Sequence, residues 1–166
     1  MKMNLNKLSD EDLIDFVYCE LAGTKIQENI SDFTDLKKWR KVVNEMEEPV
    51  ATVYRIGILN LELMNGGLIQ YFDNCYGIFA YETLEDFKRI GANYSYKILE
   101  TCLKHINPKN YSDSRFIELV AGREYDNYDD SFEMKLNELD DEYYELDEKE
   151  NLEKLLADYL RHQNVT

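Results

Sequence analysis

The sequence predicts an all-α fold, a single compact multi-helix domain of about seven to eight helices. Three observations carry that prediction. Apolar residues recur at spacings of three and four, no segment sustains period-two alternation, and only two prolines, Pro49 and Pro108, occur in 166 residues. The length suits one domain spanning 1–166, and 44% hydrophobic residues supply a core. Residues 1–8 are expected to form a disordered lead-in.

The elements follow in order. Ser9 is a good N-cap with Asp12 three residues on, and Leu13, Val17 and Leu21 face the core one turn apart. Gly23 is expected to stop this helix. A second helix follows Ser31 or Thr34 and carries Leu36, Trp39, Val43 and Met46. Pro49 suits the first turn of a third helix, where its missing N–H costs nothing. That helix is expected to close at Asn65-Gly66-Gly67, because Asn and Gly tolerate left-handed backbone. A short aromatic helix over Leu68–Cys75 comes next, then helices over Glu82–Ile90, closed by Gly91, and Asn93–His105. A helix from Ser112 or Ser114 stops at Gly122. Residues 123–130 read as an acidic loop, and two last helices fit 131–147 and 149–162.

Charge is the outlying property. Residues 121–166 hold 15 acids and 5 bases, whereas residues 1–120 hold 19 and 14, so a net of −10 of the total −15 lies in the last quarter. Such a field repels nucleic acid and anionic lipid and attracts basic surfaces. No run approaches the length of a membrane span, and the N-terminus lacks a signal-peptide core, so the expected location is cytoplasmic.

Catalytic signatures are missing. Only His105 and His162 occur, which excludes most histidine-based triads and HExxH zinc chemistry. His105 follows Lys104 at a helix end, where an imidazolium suits the dipole. Cys19, Cys75 and Cys102 form no CxxC pair and read as reduced, buried apolar residues. No P-loop, GxSxG or GxGxxG is present, and Asp126, Asp129 and Asp130 lack EF-hand spacing. Neither a cofactor nor a metal is expected, and the protein is not expected to be an enzyme.

The run Glu138–Glu150 holds eight acids and one base. On a helix, Leu136, Leu139, Tyr143 and Leu146 fall on one side, and Glu138, Asp141, Glu142, Glu145 and Glu148 on the other. Like charges three or four residues apart destabilise a helix by a few tenths of a kcal/mol per pair. A row of carboxylates on a rigid rod imitates a phosphate backbone and suits a cationic groove. A solvated face that keeps the protein soluble is the plain alternative. The candidate partner-binding residues are these five acids with Asp126, Asp129 and Asp130 beside them.

The segment Glu62 to Gly77 holds Glu62, then Asn65-Gly66-Gly67, then Gln70-Tyr71-Phe72, Asn74 and Gly77. It resembles the hallmark of a bacterial all-helical family that includes a DNA-mimic protein. Leu139-Asp140-Asp141-Glu142-Tyr143-Tyr144 resembles the family's second motif, and the resemblance covers roughly 30–163. It implies an all-α fold and carboxylates that imitate DNA phosphates on the DNA-binding surface of a helix-turn-helix regulator. No catalytic residue carries over. The first motif reads as structural: Asn65, Gly66 and Gly67 form a corner, and Gln70, Tyr71 and Phe72 open a buried helix, with Gln70 bonding the corner backbone. The expected partner is a basic DNA-binding protein, bound by a monomer or homodimer. Two other readings stand: an immunity or inhibitor protein for a basic toxin such as a nuclease, and a small-ligand pocket near Tyr71, Tyr76 and Tyr81.

Overall fold

A computed structural model describes residues 7–125 and 129–163. Among them the α-helices are α1 (Asp10–Asp15), α2 (Gly23–Asn29), α3 (Leu36–Asn44), α4 (Glu48–Asp73), α5 (Ala80–Ile90), α6 (Asn93–Ile106), α7 (Asp113–Gly122), α8 (Asp130–Tyr144) and α9 (Leu152–His162), with no strand. A π-helical turn, Phe16–Ala22, fuses α1 and α2 into one rod, so the nine segments make eight rods. Short 3-10 turns occupy Tyr76–Phe79 and Leu146–Glu148. Of the expected lead-in 1–8, residues 1–6 lie outside the described residues.

The N-cap expected at Ser9 forms: its hydroxyl oxygen accepts from the Asp12 N–H at 3.1 Å and its O–H donates to the Asp12 carboxylate at 2.6 Å. Gly23 does not stop that helix. It keeps right-handed φ and ψ of −56° and −44°, and the rod runs on to Asn29 so that Ile26 can join Ala22 in the core. The cap of α3 is Asp35 rather than Ser31 or Thr34, its carboxylate accepting from the Lys38 N–H.

α4 is the central element and packs against the π-helical turn, α5 and α8. Nearly every position from Val50 to Leu59 is buried, as a helix surrounded on all sides requires. At Gly57 it lets a neighbour in close. A Cβ there would lie 2.7 Å from the Tyr18 ring, which stacks on Tyr54. The Tyr54 hydroxyl in turn accepts from the Trp39 indole N–H at 3.1 Å, tying α3 to α4.

On the opposite side a buried ionic cluster joins α4 to α5. Asp86, fully buried, accepts two hydrogen bonds from Arg55 at 2.6 and 2.8 Å and one from the Thr52 hydroxyl at 2.8 Å. Arg89 also pairs with it and reaches Glu48. A buried carboxylate is tolerated only when its lone pairs are met in this way.

The expected corner forms inside α4, but two residues make it rather than three. Gly66 and Gly67 leave the helical region, while Asn65 stays helical and exposed. Gly67 adopts φ 77° and ψ −172°, a combination reserved almost wholly for glycine. A Cβ on Gly67 would also meet the Asp140 carboxylate at 2.1 Å. After the bend, Leu68, Tyr71 and Phe72 enter the core as expected.

The remaining helices follow the reading closely. α5 closes at Gly91 with φ 78°, and α7 starts at the Ser112 cap. Two expectations fail. Cys19 is exposed and Cys75 half-buried, so only Cys102 is a core residue. Burial, and then the Lys135 charge, hold His105 below the ordinary histidine range, so its neutral form is favoured over the imidazolium.

These backbone facts separate two glycines. Gly91→Ala meets no atom within 4 Å and should cost about 1–2 kcal/mol for its left-handed backbone alone. Gly67→Ala adds a glycine-only conformation and the displacement of Asp140, and should cost at least about 2 kcal/mol more. Urea unfolding of both variants checks this, and equal costs would contradict the close approach.

Candidate functional site

α8 begins at the Asp129 cap, whose carboxylate accepts from the Phe132 N–H at 2.9 Å. It lies with Phe132, Leu136, Leu139 and Tyr143 buried. The expected split of the helix is therefore observed: Glu138, Asp141, Glu142, Glu145 and Glu148 are all exposed. None of these five forms an ion pair among the described residues.

The acids do not share one straight rod. The helix was expected over 131–147 but ends at Tyr144. Glu145 is the C-cap, and Glu148 sits in the 3-10 turn that follows. Leu146 is buried within that turn. Asp141 and Glu142 thus crowd the last turn, which holds no base. Negative charge at a helix C-terminus opposes the macrodipole, so the arrangement costs stability twice, through the dipole and through like-charge neighbours.

The flanking loop contributes unequally. Asp129 spends its carboxylate on capping, and Asp130 lies exposed in the first turn. Asp126 lies outside the described residues. Among the described residues no group of three or more His, Cys, Asp or Glu is disposed to hold a metal ion.

What aims this face outward is the residue between Leu139 and Asp141. Asp140 points inward, and its Oδ1 accepts from the Leu68 N–H at 2.8 Å, just past the Gly66–Gly67 bend. The Tyr144 hydroxyl donates to the Leu63 carbonyl at 2.8 Å, and the Tyr143 hydroxyl bonds the Asn60 side chain at 3.0 Å. Three consecutive contacts along α4 thereby set the rotation of α8.

The other motif residues serve the same bend. Gln70 does not bond the corner backbone; its amide donates to Glu62 at 3.0 Å, and the Asn74 amide donates to the same oxygen at 2.8 Å. A buried carboxylate needs donors more than the corner does, and Glu62 is buried. Tyr71 is fully enclosed, and burial drives its hydroxyl far above the ordinary tyrosine range. Tyr76 packs edge-on against Trp39, while the Tyr81 hydroxyl bonds the Asn107 amide. The tyrosines therefore belong to three separate packing sites, and neither of the two described cavities is lined by them.

Both motifs and the contact between them fall inside the segment matched by a family model. The model, described as DMP19-like protein, matches residues 44–163. The chain belongs to this DNA-mimic family. No curated protein and no solved structure matches it. Within the segment that matches the DMP19-like family, Gly66 and Gly67 make the bend, Tyr71 and Phe72 fill the core behind it, and Gln70 bonds Glu62.

Asp140 carries the pH dependence of this scaffold. Burial pushes its carboxyl up from 3.8 to about 6; the Leu68 N–H opposes the rise, and the Asp141 charge adds to it. The folded state therefore binds the proton more tightly than the unfolded state. The cost of holding Asp140 charged is fully present above about pH 6 and is relieved as pH falls towards 3.8. Asp140→Asn keeps an acceptor for Leu68 and removes this ionisation. Its stability relative to the parent should be greatest above about pH 6 and narrow between 6 and 3.8 in denaturant titrations. A difference that does not vary across that window would contradict the assignment.

Proposed function

We propose that this protein is an acidic decoy. Its exposed carboxylates occupy the DNA-contacting surface of a transcriptional regulator or another nucleic-acid-binding protein and block DNA competitively. The observation that carries the reading is the unpaired acidic end of α8, where Asp141, Glu142 and Glu145 sit against both the helix dipole and one another. Surfaces that serve only solubility mix the signs of charge, and a protein that breaks a local rule at a stability cost does so where it works. Membership in a DNA-mimic family supports the same reading.

Neighbouring carboxylates three or four residues apart stand about 5–6 Å from one another at Cβ. A cationic groove built for phosphates meets such a row with complementary potential, which favours fast, salt-sensitive association. Two buried anchors, Asp140 and Tyr143, keep the row from rotating inward. Glu138, Asp141, Glu142, Glu145 and Glu148 make the contact, with Asp130 and the Asp129 cap at the far end of the helix; Asp126, expected to join them from the sequence, lies outside the described residues. The mechanism requires binding and no catalysis.

The test uses the DNA-binding protein recovered at low salt from the native cell, with its own DNA as competitor. Glu138→Gln, Glu142→Gln and Glu145→Gln together should weaken the complex by about five- to a hundredfold, as three exposed charge pairs imply. The same triple variant should be as stable as the parent or slightly more so, because like-charge crowding is relieved. Parent-like binding by a folded triple variant would sink the assignment of this face.

A further inference from the structure

Beside the end of the acidic face lies a cleft of about 340 Å³ between α1, α4, α8 and α9. Its floor is apolar, formed by Ile14, Ile56, Leu146, Leu152 and Leu156. Its rim carries Glu11, Asp15 and Glu153, all exposed. No Lys, Arg or His lines it, and none of the three rim acids forms an ion pair among the described residues. At its mouth stand Met64 and Tyr144, which are 61% and 48% exposed. Exposed apolar side chains beside a concave apolar floor mark an interaction site rather than a solvated surface.

We infer that this cleft receives one large apolar side chain from a cationic amphipathic helix of the bound partner, whose flanking Lys or Arg residues meet Glu11, Asp15 and Glu153. The inference rests on the decoy reading and adds what that reading lacks. Phosphate imitation alone gives an interface that salt dissolves and that any cationic groove would accept. An apolar socket contributes a part that salt does not weaken and that DNA has no means to reproduce.

Charge complementarity selects the occupant. A bare apolar ligand would gain nothing from three unpaired carboxylates, and an anionic one would be repelled. Position selects the partner, because Tyr143, Tyr144 and Leu146 line the cleft while their neighbours Glu142, Glu145 and Glu148 form the acidic face. One helix on the partner thus meets both. Three of its residues, Glu11, Ile14 and Asp15, precede the residues 44–163 that match the family model.

The experiment measures binding of the intact chain to two synthetic helical peptides of equal length and equal lysine number. One carries leucine along its second face and the other carries serine. The leucine peptide should bind about tenfold to a hundredfold more tightly, as burial of one leucine side chain implies, and should keep that advantage at high salt. It should shift the methyl NMR signals of Ile14, Ile56, Leu152 and Leu156. Met64→Lys, a change at an exposed position, should abolish the advantage and leave the serine peptide within about threefold of its parent affinity. A leucine advantage that survives Met64→Lys with undisturbed methyl signals would overturn the inference. So would methyl shifts that grow with protein concentration and no peptide, which would assign the cleft to a second copy of the chain. Failure of the decoy reading looks different: both peptides would then bind the Glu138→Gln, Glu142→Gln, Glu145→Gln variant as they bind the parent.

Discussion

One buried contact governs the arrangement: the Asp140 carboxylate seated against Gly67 and the Leu68 N–H. The bend at Gly66 and Gly67 interrupts the hydrogen-bond ladder of the central helix and exposes a backbone donor inside the core. A buried donor left unmet costs about 1–3 kcal/mol. Asp140 meets it from 72 residues away, and only a glycine leaves room for it to do so. Once Asp140 is inside, the helix has no freedom to turn, so Glu138, Asp141 and Glu142 face water. The two sequence motifs are two halves of this single joint.

The distribution of bases completes the effect. Arg55 and Arg89 are committed to Asp86, Arg40 pairs with Glu82, and Arg161 pairs with Asp10. These cations stabilise the packing of α3, α4, α5 and α9 and are not free to neutralise α8. These four arginines therefore leave the acids of α8 uncancelled. An exposed surface thus retains a field that the composition as a whole would partly cancel, and that field is what a basic groove would meet.

Most of the helical order was legible because capping and periodicity act locally. Ser9, Pro49 and Gly91 each did what their chemistry dictates, whereas Ser112 sits at the start of α7 without a side-chain capping bond. Gly23 misled because glycine ends a helix only where left-handed backbone is wanted, and there the core wanted Ile26 instead. Gln70 was placed in the right motif with the wrong partner, since the demand of Glu62 for donors is set by burial. Asp140 left a signal that pattern reading permits: it is an acid spaced four from Leu136 and three from Tyr143, both core positions. The cleft left none. Its rim joins residues 11, 15 and 153, which approach one another only after α1 and α9 pack side by side.

Hydrogen–deuterium exchange on the complex between this protein and the DNA-binding protein proposed as its partner tests the central claim most directly. The account predicts new protection along the α8 surface and the following turn, from Glu138 to Glu148, lost when partner-specific DNA is added. Protection confined to α3, α5 or α6, with α8 exchanging as in the free protein, would contradict it.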